Sequence, residues 1–136
     1  MSMRLKVSAK MDHFEESLGF IEERLREIGI DERVLAKVLT ASEEIIVNII
    51  QYAYRESEGD FFIDIEDQPD RTELSFSDYG QPFDPLRKPD ADTTLKAHER
   101  EIGGLGILMV KKLMDGVHYD FRDGKNILTI TKMKTT

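Results

Sequence analysis

The spacing of apolar positions predicts two long helices in the first part of the chain. From residue 12 to residue 28, apolar side chains recur every three or four residues, as on one stripe of an amphipathic helix. A second helical pattern begins after Asp31, a favourable N-cap residue, and continues to about Tyr54. Its second half is apolar on nearly every side, so we expect that half to lie deeper in the protein.

The remaining pattern is mainly that of strands. Alternating apolar and polar residues predict strands at residues 3–8, 61–66, 72–78, 117–121 and 126–133. Asp123 and Gly124 predict a tight hairpin between the last two strands. A third helix is predicted from Leu105 to Met114. This order of elements predicts an α/β (α+β) two-layer sandwich, in which three helices cover one face of a mixed, mostly antiparallel sheet.

Length, composition and charge limit the possible functions. The 136 residues are enough for one domain, and we expect residues 1–136 to form it, with a mobile lid at about residues 86–102 where no period is evident. A net charge of −8 argues against direct binding to nucleic acid. No apolar run is long enough to span a membrane and no cysteine is present, so we expect a cytoplasmic protein.

Two polar side chains interrupt the apolar half of the second helix. Glu44 and Asn48 are four residues apart, so they lie one turn apart on the same helix face. Magnesium binds oxygen ligands and retains waters, so the Asn48 amide oxygen can bind it together with phosphate oxygens. Glu44 can act as a general base toward a hydroxyl group. A solvated stripe on a half-exposed helix would explain the same pair without a ligand.

Asp78 ends the apolar row of the third predicted strand, and Gly80 follows it closely. An ionised carboxylate only accepts hydrogen bonds, so a buried aspartate selects adenine, which has an exocyclic amine where guanine has a carbonyl. Glycine lets the chain turn sharply and lie close to the base. An ordinary turn at the end of a strand has the same Asp-x-Gly pattern.

A glycine cluster precedes and opens the third predicted helix. Gly103, Gly104 and Gly106 flank Leu105 at this point. Free backbone amides and the positive end of the helix dipole favour a phosphate group there. A flexible hinge is the alternative interpretation, because a single glycine cluster is a weak sign of nucleotide binding.

The order and spacing of these three groups resemble the ATP-binding domain of the GHKL, or Bergerat, fold. Gyrase, heat-shock chaperone, histidine kinase and mismatch-repair ATPases share that domain. Within this superfamily the chain is most similar to the bacterial anti-sigma factor serine-protein kinases. The resemblance rests on Ser42-Glu43-Glu44-x-x-x-Asn48-x-x-x-Tyr52-Ala53-Tyr54, on Asp78-x-Gly80-x-x-Phe83-Asp84-Pro85 and on Gly103-Gly104-Leu105-Gly106-Ile107-x-x-Val110.

The resemblance implies roles for the matching residues. Glu44 matches the catalytic base, Asn48 the magnesium ligand and Asp78 the carboxylate that recognises adenine. The other positions that match nucleotide-binding residues are Tyr52, Gly80, Phe83, Gly103, Gly104, Leu105 and Gly106. The implied activity is that of a protein serine/threonine kinase that uses ATP and Mg²⁺.

The resemblance also implies partners and leaves an alternative open. The expected partners are a sigma factor, bound in transcription regulation, and a STAS-type anti-anti-sigma protein, phosphorylated on serine; a homodimer is also compatible. Tyr52 stands where the family often has histidine, and Arg100 lies upstream of the arginine expected before the second glycine group. The alternative is therefore a non-catalytic ATP-binding partner-switching module that sequesters a sigma factor or another regulator.

Overall fold

The computed structural model of the chain describes residues 2–54, 57–86 and 106–134. Their elements follow the predicted order: β1 (Ser2–Ser8), α1 (Phe14–Glu27), α2 (Glu32–Tyr52), β2 (Asp60–Asp67), β3 (Arg71–Asp78), α3 (106–113), β4 (Gly116–Arg122) and β5 (Lys125–Met133). A short 3-10 helix, Met11–His13, precedes α1. Apart from residue 86, the predicted lid lies outside the described residues, as does the predicted helix start at Leu105.

The strands form one five-stranded sheet in the order β1-β2-β3-β5-β4. The predicted two-layer α/β sandwich is confirmed, and within the described parts of the chain every strand pair is antiparallel rather than mixed. The central strand β3 pairs with β2 on one side and β5 on the other. In this register Asp78 lies opposite Phe61 on β2 and Asn126 on β5.

The core lies between one face of the sheet and the helices. Alternate residues of the three inner strands, β2, β3 and β5, point into it and are almost fully buried: Phe61, Ile63, Ile65, Leu74, Phe76, Leu128 and Ile130. The helices contribute Ile21, Leu25, Leu35, Val38, Ile45, Ile46, Ile49, Ile107 and Val110. Complete burial of one such side chain stabilises the fold by about 1.5–3 kcal/mol. This shared core fixes the position of α2 relative to the ends of β3 and β5.

Two local predictions at element boundaries are confirmed. Asp31 is the N-cap of α2, because its Oδ1 accepts a hydrogen bond from the Arg33 backbone amide at 2.9 Å. The turn between β4 and β5 has Asp123 at φ 56° and Gly124 at φ 77°, as a type I′ hairpin turn requires. In the described portion of the chain, no helix is long and apolar enough to cross a membrane.

Replacing the N-cap residue of α2 tests how the helix begins. Asp31→Ala removes the acceptor for the Arg33 amide, so we expect the free energy of unfolding to fall by about 1 kcal/mol. Asp31→Asn keeps an acceptor oxygen and should retain most of that stability. Urea denaturation of the three proteins measures both effects, and equal losses for the two variants would contradict the capping role.

Candidate functional site

The C-terminal half of α2 lies against both glycine-containing segments identified in the sequence. A Cβ atom on Gly106, the first described residue of α3, would overlap Oε2 of Glu44. A Cβ atom on Gly80 would overlap the backbone carbonyl of Ala53, just after α2. A side chain at position 106 would displace the Glu44 carboxylate, and backbone blocks any side chain at position 80. The structure thus brings α2, the end of β3 and the start of the described part of α3 together.

The polar residues of α2 have the orientation that the helical period predicts. Glu43 is exposed, whereas Glu44, Asn48 and Tyr52 are half-buried. Adjacent helix residues are rotated by about 100°, so Glu43 and Glu44 cannot face the same neighbour. Glu44 is the one that approaches Gly106. Asn48 and Tyr52 follow Glu44 at four-residue steps along the same face of the helix.

The carboxyl group of Asp78 is buried where β3 ends, with the residue only 6% exposed. Its Oδ1 accepts hydrogen bonds from the Gly80 backbone amide at 2.9 Å and from Asn126 Nδ2 at 3.0 Å. Among the described residues no donor is hydrogen-bonded to Oδ2. This oxygen is therefore the acceptor that Asp78 can offer to a ligand.

Burial raises the pKa of Asp78, because removal from water penalises the charged carboxylate. The hydrogen bonds from Asn126 and Gly80 act in the opposite direction, since both stabilise the ionised form, but burial has the larger effect. A ligand amine that donates to Oδ2 would also favour the carboxylate. Ligand binding and ionisation of Asp78 should therefore reinforce each other.

Asn126 on β5 was not predicted from the sequence, although it connects Asp78 to the loop that follows β3. Its Nδ2 group also donates to the carbonyl oxygens of Gly80 at 3.3 Å and Gln81 at 2.9 Å. The available signal was a polar residue at an inward position of a strand whose next inward residues, Leu128 and Ile130, are apolar.

The oxygen atom of the Asn126 side-chain amide accepts two further hydrogen bonds. Its Oδ1 accepts hydrogen bonds from the Phe83 backbone amide at 3.0 Å and from the Tyr119 hydroxyl. Phe83 was predicted as a nucleotide-binding residue; its main chain is fixed here, while the residue is 54% exposed. The remaining predicted residues, Gly103 to Leu105, lie outside the described part of the chain.

Tyr54, after the C-terminus of α2, fixes the same loop from the opposite side. Its hydroxyl donates to the Asp60 carbonyl and accepts from the Tyr79 backbone amide, both at 2.7 Å. Burial raises the pKa of Tyr54, so the hydroxyl stays protonated and serves as donor and acceptor at once. A Cβ on Gly59 would overlap the Tyr54 ring, which shows how closely the chain packs around it.

The donor set fits a magnesium nucleotide better than a metal held by protein alone. Among the residues that the structure describes, no group of three or more His, Cys, Asp or Glu side chains could hold a metal ion. A single amide oxygen from Asn48 suits Mg²⁺, which takes its other ligands from phosphates and water.

Two surface clefts among the described residues lie elsewhere. One of about 360 Å³ lies beside Leu5 and Phe20, and one of about 320 Å³ lies beside Gly29 and Lys132. Neither is lined by a residue predicted to bind nucleotide. The site is therefore identified by the chemistry and proximity of its residues rather than by cleft size.

This α/β sandwich has a buried carboxylate at the end of β3, a half-buried Glu and Asn pair on α2, and a glycine of α3 against that Glu. These features are compatible with a nucleotide-binding class of domain. The chain belongs to the histidine kinase-like ATPase domain family, whose profile matches residues 7–132. It is similar to the serine-protein kinase RsbW of Listeria monocytogenes serovar 1/2a (28% identity) and of Listeria innocua serovar 6a (27% identity). Each match spans 105 residues, which are 74% of this chain and 67% of the relative.

Solved structures share the fold at low sequence identity. The RsbU and RsbW domains of Rv1364c from Mycobacterium tuberculosis match with a TM-score of 0.71 and 17% identity, over 100% of this chain but only 33% of that one. The SiaB–SiaC complex from Pseudomonas aeruginosa gives 0.59 and 16%, covering 97% of this chain and 89% of that one. The catalytic domain of histidine kinase ThkA gives 0.50 and 16%, with 98% and 97% covered. These likenesses confirm the predicted fold.

The raised pKa of Asp78 predicts a pH-dependent contribution to stability. The folded protein holds this proton more tightly than the unfolded chain, in which aspartate titrates at about pH 3.9. The stabilising contribution is therefore complete below that pH and is lost as pH rises through the raised folded pKa. The quantity to follow is the difference in the free energy of unfolding between the wild type and Asp78→Asn (wild type minus variant). We expect this difference to fall as pH rises through the window and then to stay constant.

Denaturant unfolding of both proteins between about pH 3.5 and about pH 7.5 measures this difference. Asp123→Asn is the matched control, because it makes the same chemical change at an exposed hairpin turn. A difference for Asp78→Asn that stays constant over the whole range would contradict the effect of burial on this carboxyl group.

Proposed function

We propose that this protein is an ATP-dependent serine-protein kinase that also acts as an anti-sigma factor. The observation that carries the proposal is the approach of Glu44 to Gly106 in a histidine kinase-like ATPase domain, with Asn48 one helical turn away. The similarity to two relatives named serine-protein kinase RsbW supports the choice of serine as the phosphate acceptor.

Asp78 and the loop after it would recognise the base of ATP. The Oδ2 atom of Asp78 accepts the exocyclic amine of adenine, whereas the guanine carbonyl would face another acceptor. Gly80 allows the loop to lie close to the purine ring, because no Cβ projects there. Tyr52 and Phe83 are further nucleotide-contacting residues in this proposal, together with the backbone from Gly103 to Gly106.

Glu44 and Asn48 would act at the phosphate end. Asn48 would hold Mg²⁺, which when bound would supply neutralisation of the charge that develops during phosphoryl transfer. Glu44 orients the serine hydroxyl of the protein substrate and accepts its proton. Most of the rate enhancement in such a reaction comes from positioning the reactants and from electrostatic stabilisation.

The partners we propose are a sigma factor and a STAS-type anti-anti-sigma protein. The sequence similarity to RsbW supports the STAS-type partner, and the fold is shared with a solved complex of two proteins, SiaB and SiaC. The sigma factor is the partner that the motif resemblance implies. The net charge of −8 favours a partner with a basic contact surface. A cytoplasmic location and a homodimer are further predictions of this proposal.

A non-catalytic ATP-binding module is the second proposed function. It is favoured by Tyr52, which stands in the α2 motif where related kinases often carry histidine. Such a protein would sequester a sigma factor or another regulator and use ATP only to select its conformation. The half-buried Glu44 beside Gly106 favours the kinase instead, because a module without catalysis has no use for a general base there.

Replacing the proposed general base distinguishes the two functions. Purified protein is incubated with γ-labelled ATP, Mg²⁺ and each STAS-type protein of the same genome, and labelled serine is measured. We expect Glu44→Gln to lower the transfer rate by about 10²–10⁴-fold, while ATP affinity and capture of the sigma factor are retained. Glu43→Gln is the matched control, because the neighbouring glutamate is exposed on another side of α2.

Each alternative outcome has a distinct meaning. Equal transfer rates for Glu44→Gln and Glu43→Gln would exclude Glu44 as the base. A wild-type protein that binds ATP but transfers no phosphate to any STAS protein would be the non-catalytic module. A wild-type protein that does not bind ATP would contradict both proposals.

A further inference from the structure

We propose that Asn126 is the positioning residue that makes this site selective for adenine. It does so by fixing the orientation of the Asp78 carboxylate and of the loop at residues 80–83. This inference rests on the proposed binding of ATP and specifies which residue, besides Asp78 itself, determines the choice of base.

Asn126 is only 8% exposed and lies directly opposite Asp78 in the β3–β5 register. Its Nδ2 group donates to Asp78 Oδ1 and to two backbone carbonyls, and its Oδ1 accepts from a backbone amide and a hydroxyl. Both ends of the amide are therefore fully used. A flipped amide would turn its oxygen toward three acceptors, so a single orientation is possible.

This orientation determines which oxygen of Asp78 remains for a ligand. The Asn126 and Gly80 donors both bind Oδ1, at 3.0 and 2.9 Å. A carboxylate can rotate about its χ2 angle at little cost unless its oxygens are held. With Oδ1 held from two sides, Oδ2 is kept at one position, where it can accept from an amine and repel a carbonyl.

The same amide group also connects the loop that follows β3 with strand β5. The carbonyls of Gly80 and Gln81 and the amide of Phe83 all bind the Asn126 side chain. On the opposite side, the Tyr54 hydroxyl holds the Tyr79 amide. A loop fixed in advance loses less conformational entropy when a ligand binds, so its contacts contribute more fully to affinity and selectivity.

A purely structural role is the competing explanation, because Asn126 also joins two central strands. A side-chain hydrogen bond between the same two strands, on the other face of the sheet, provides a matched control. Ser75 on β3 and Thr129 on β5 are register partners, and their side-chain oxygens are 2.9 Å apart. Thr129→Val removes that β3–β5 hydrogen bond with little change of shape, but leaves the surroundings of Asp78 intact.

The experiment measures dissociation constants for Mg·ATP and Mg·GTP by calorimetry. We expect the wild type to prefer ATP. Asn126→Ala should weaken ATP binding by about tenfold and leave GTP binding nearly unchanged, so that the ATP/GTP preference collapses. Thr129→Val should keep the wild-type preference. Circular dichroism establishes that each variant is folded.

Asn126→Asp provides a second test, based on the pH dependence of the ATP/GTP preference. It replaces the alanine variant if that variant does not fold. It replaces the donor by a carboxylate that faces Asp78, and two such groups share a proton as pH falls. We expect the preference for ATP to be lost at about pH 8 and partly regained at about pH 5.5, where one carboxyl group can donate to the other. A structural role alone predicts no recovery of preference.

The outcomes separate this inference from the proposed function. If the wild type binds neither nucleotide, ATP binding itself is wrong. If the wild type prefers ATP and Asn126→Ala keeps the same ATP/GTP ratio, the proposed function stands and the role of Asn126 is overturned. Loss of the preference in Thr129→Val as well would assign the effect to the strand pair rather than to the amide.

Discussion

The close approach of backbone to helix α2 is the constraint on which the site depends. Gly80 lies so near the Ala53 carbonyl, and Gly106 so near the Glu44 carboxylate, that a β-carbon would overlap at either position. Packing of this kind is possible only because α2 is anchored in the core by its buried isoleucines. As a result, two segments that are distant in sequence both lie against α2 and the residue that follows it.

A buried carboxylate balanced by hydrogen bonds is the second feature that the arrangement requires. Burial of Asp78 penalises its charge, and the donors from Gly80 and Asn126 offset part of that penalty. One further hydrogen-bond donor would therefore stabilise the ionised form of this carboxyl group. In the proposed function, an exocyclic amine would supply that donor, which would give a buried carboxylate at the end of a central strand a use.

Much of this arrangement was predictable from local sequence, and the rest depends on long-range pairing. The helical stripe, the Asp31 cap and the Asp123–Gly124 turn follow from rules that involve only a few neighbouring residues, and all three are confirmed. Asn126 could not be assigned in this way, because its role arises from strand register with a residue 48 positions away. Tyr54 was part of a recognised motif, but its bonds to Asp60 and Tyr79 required the fold. The family match agrees with the predicted fold, whereas the roles of individual residues remain predictions.

In the proposed function, α2, the end of β3 and the start of the described part of α3 meet around a single adenine nucleotide. The most direct measurement is a crystal structure of the protein with Mg²⁺ and a non-hydrolysable ATP analogue. We expect the adenine amine within hydrogen-bond distance of Asp78 Oδ2, the ion beside Asn48 and the phosphates near Gly106. A nucleotide bound elsewhere, for example in the cleft beside Gly29 and Lys132, or a base that does not contact Asp78, would contradict this expectation.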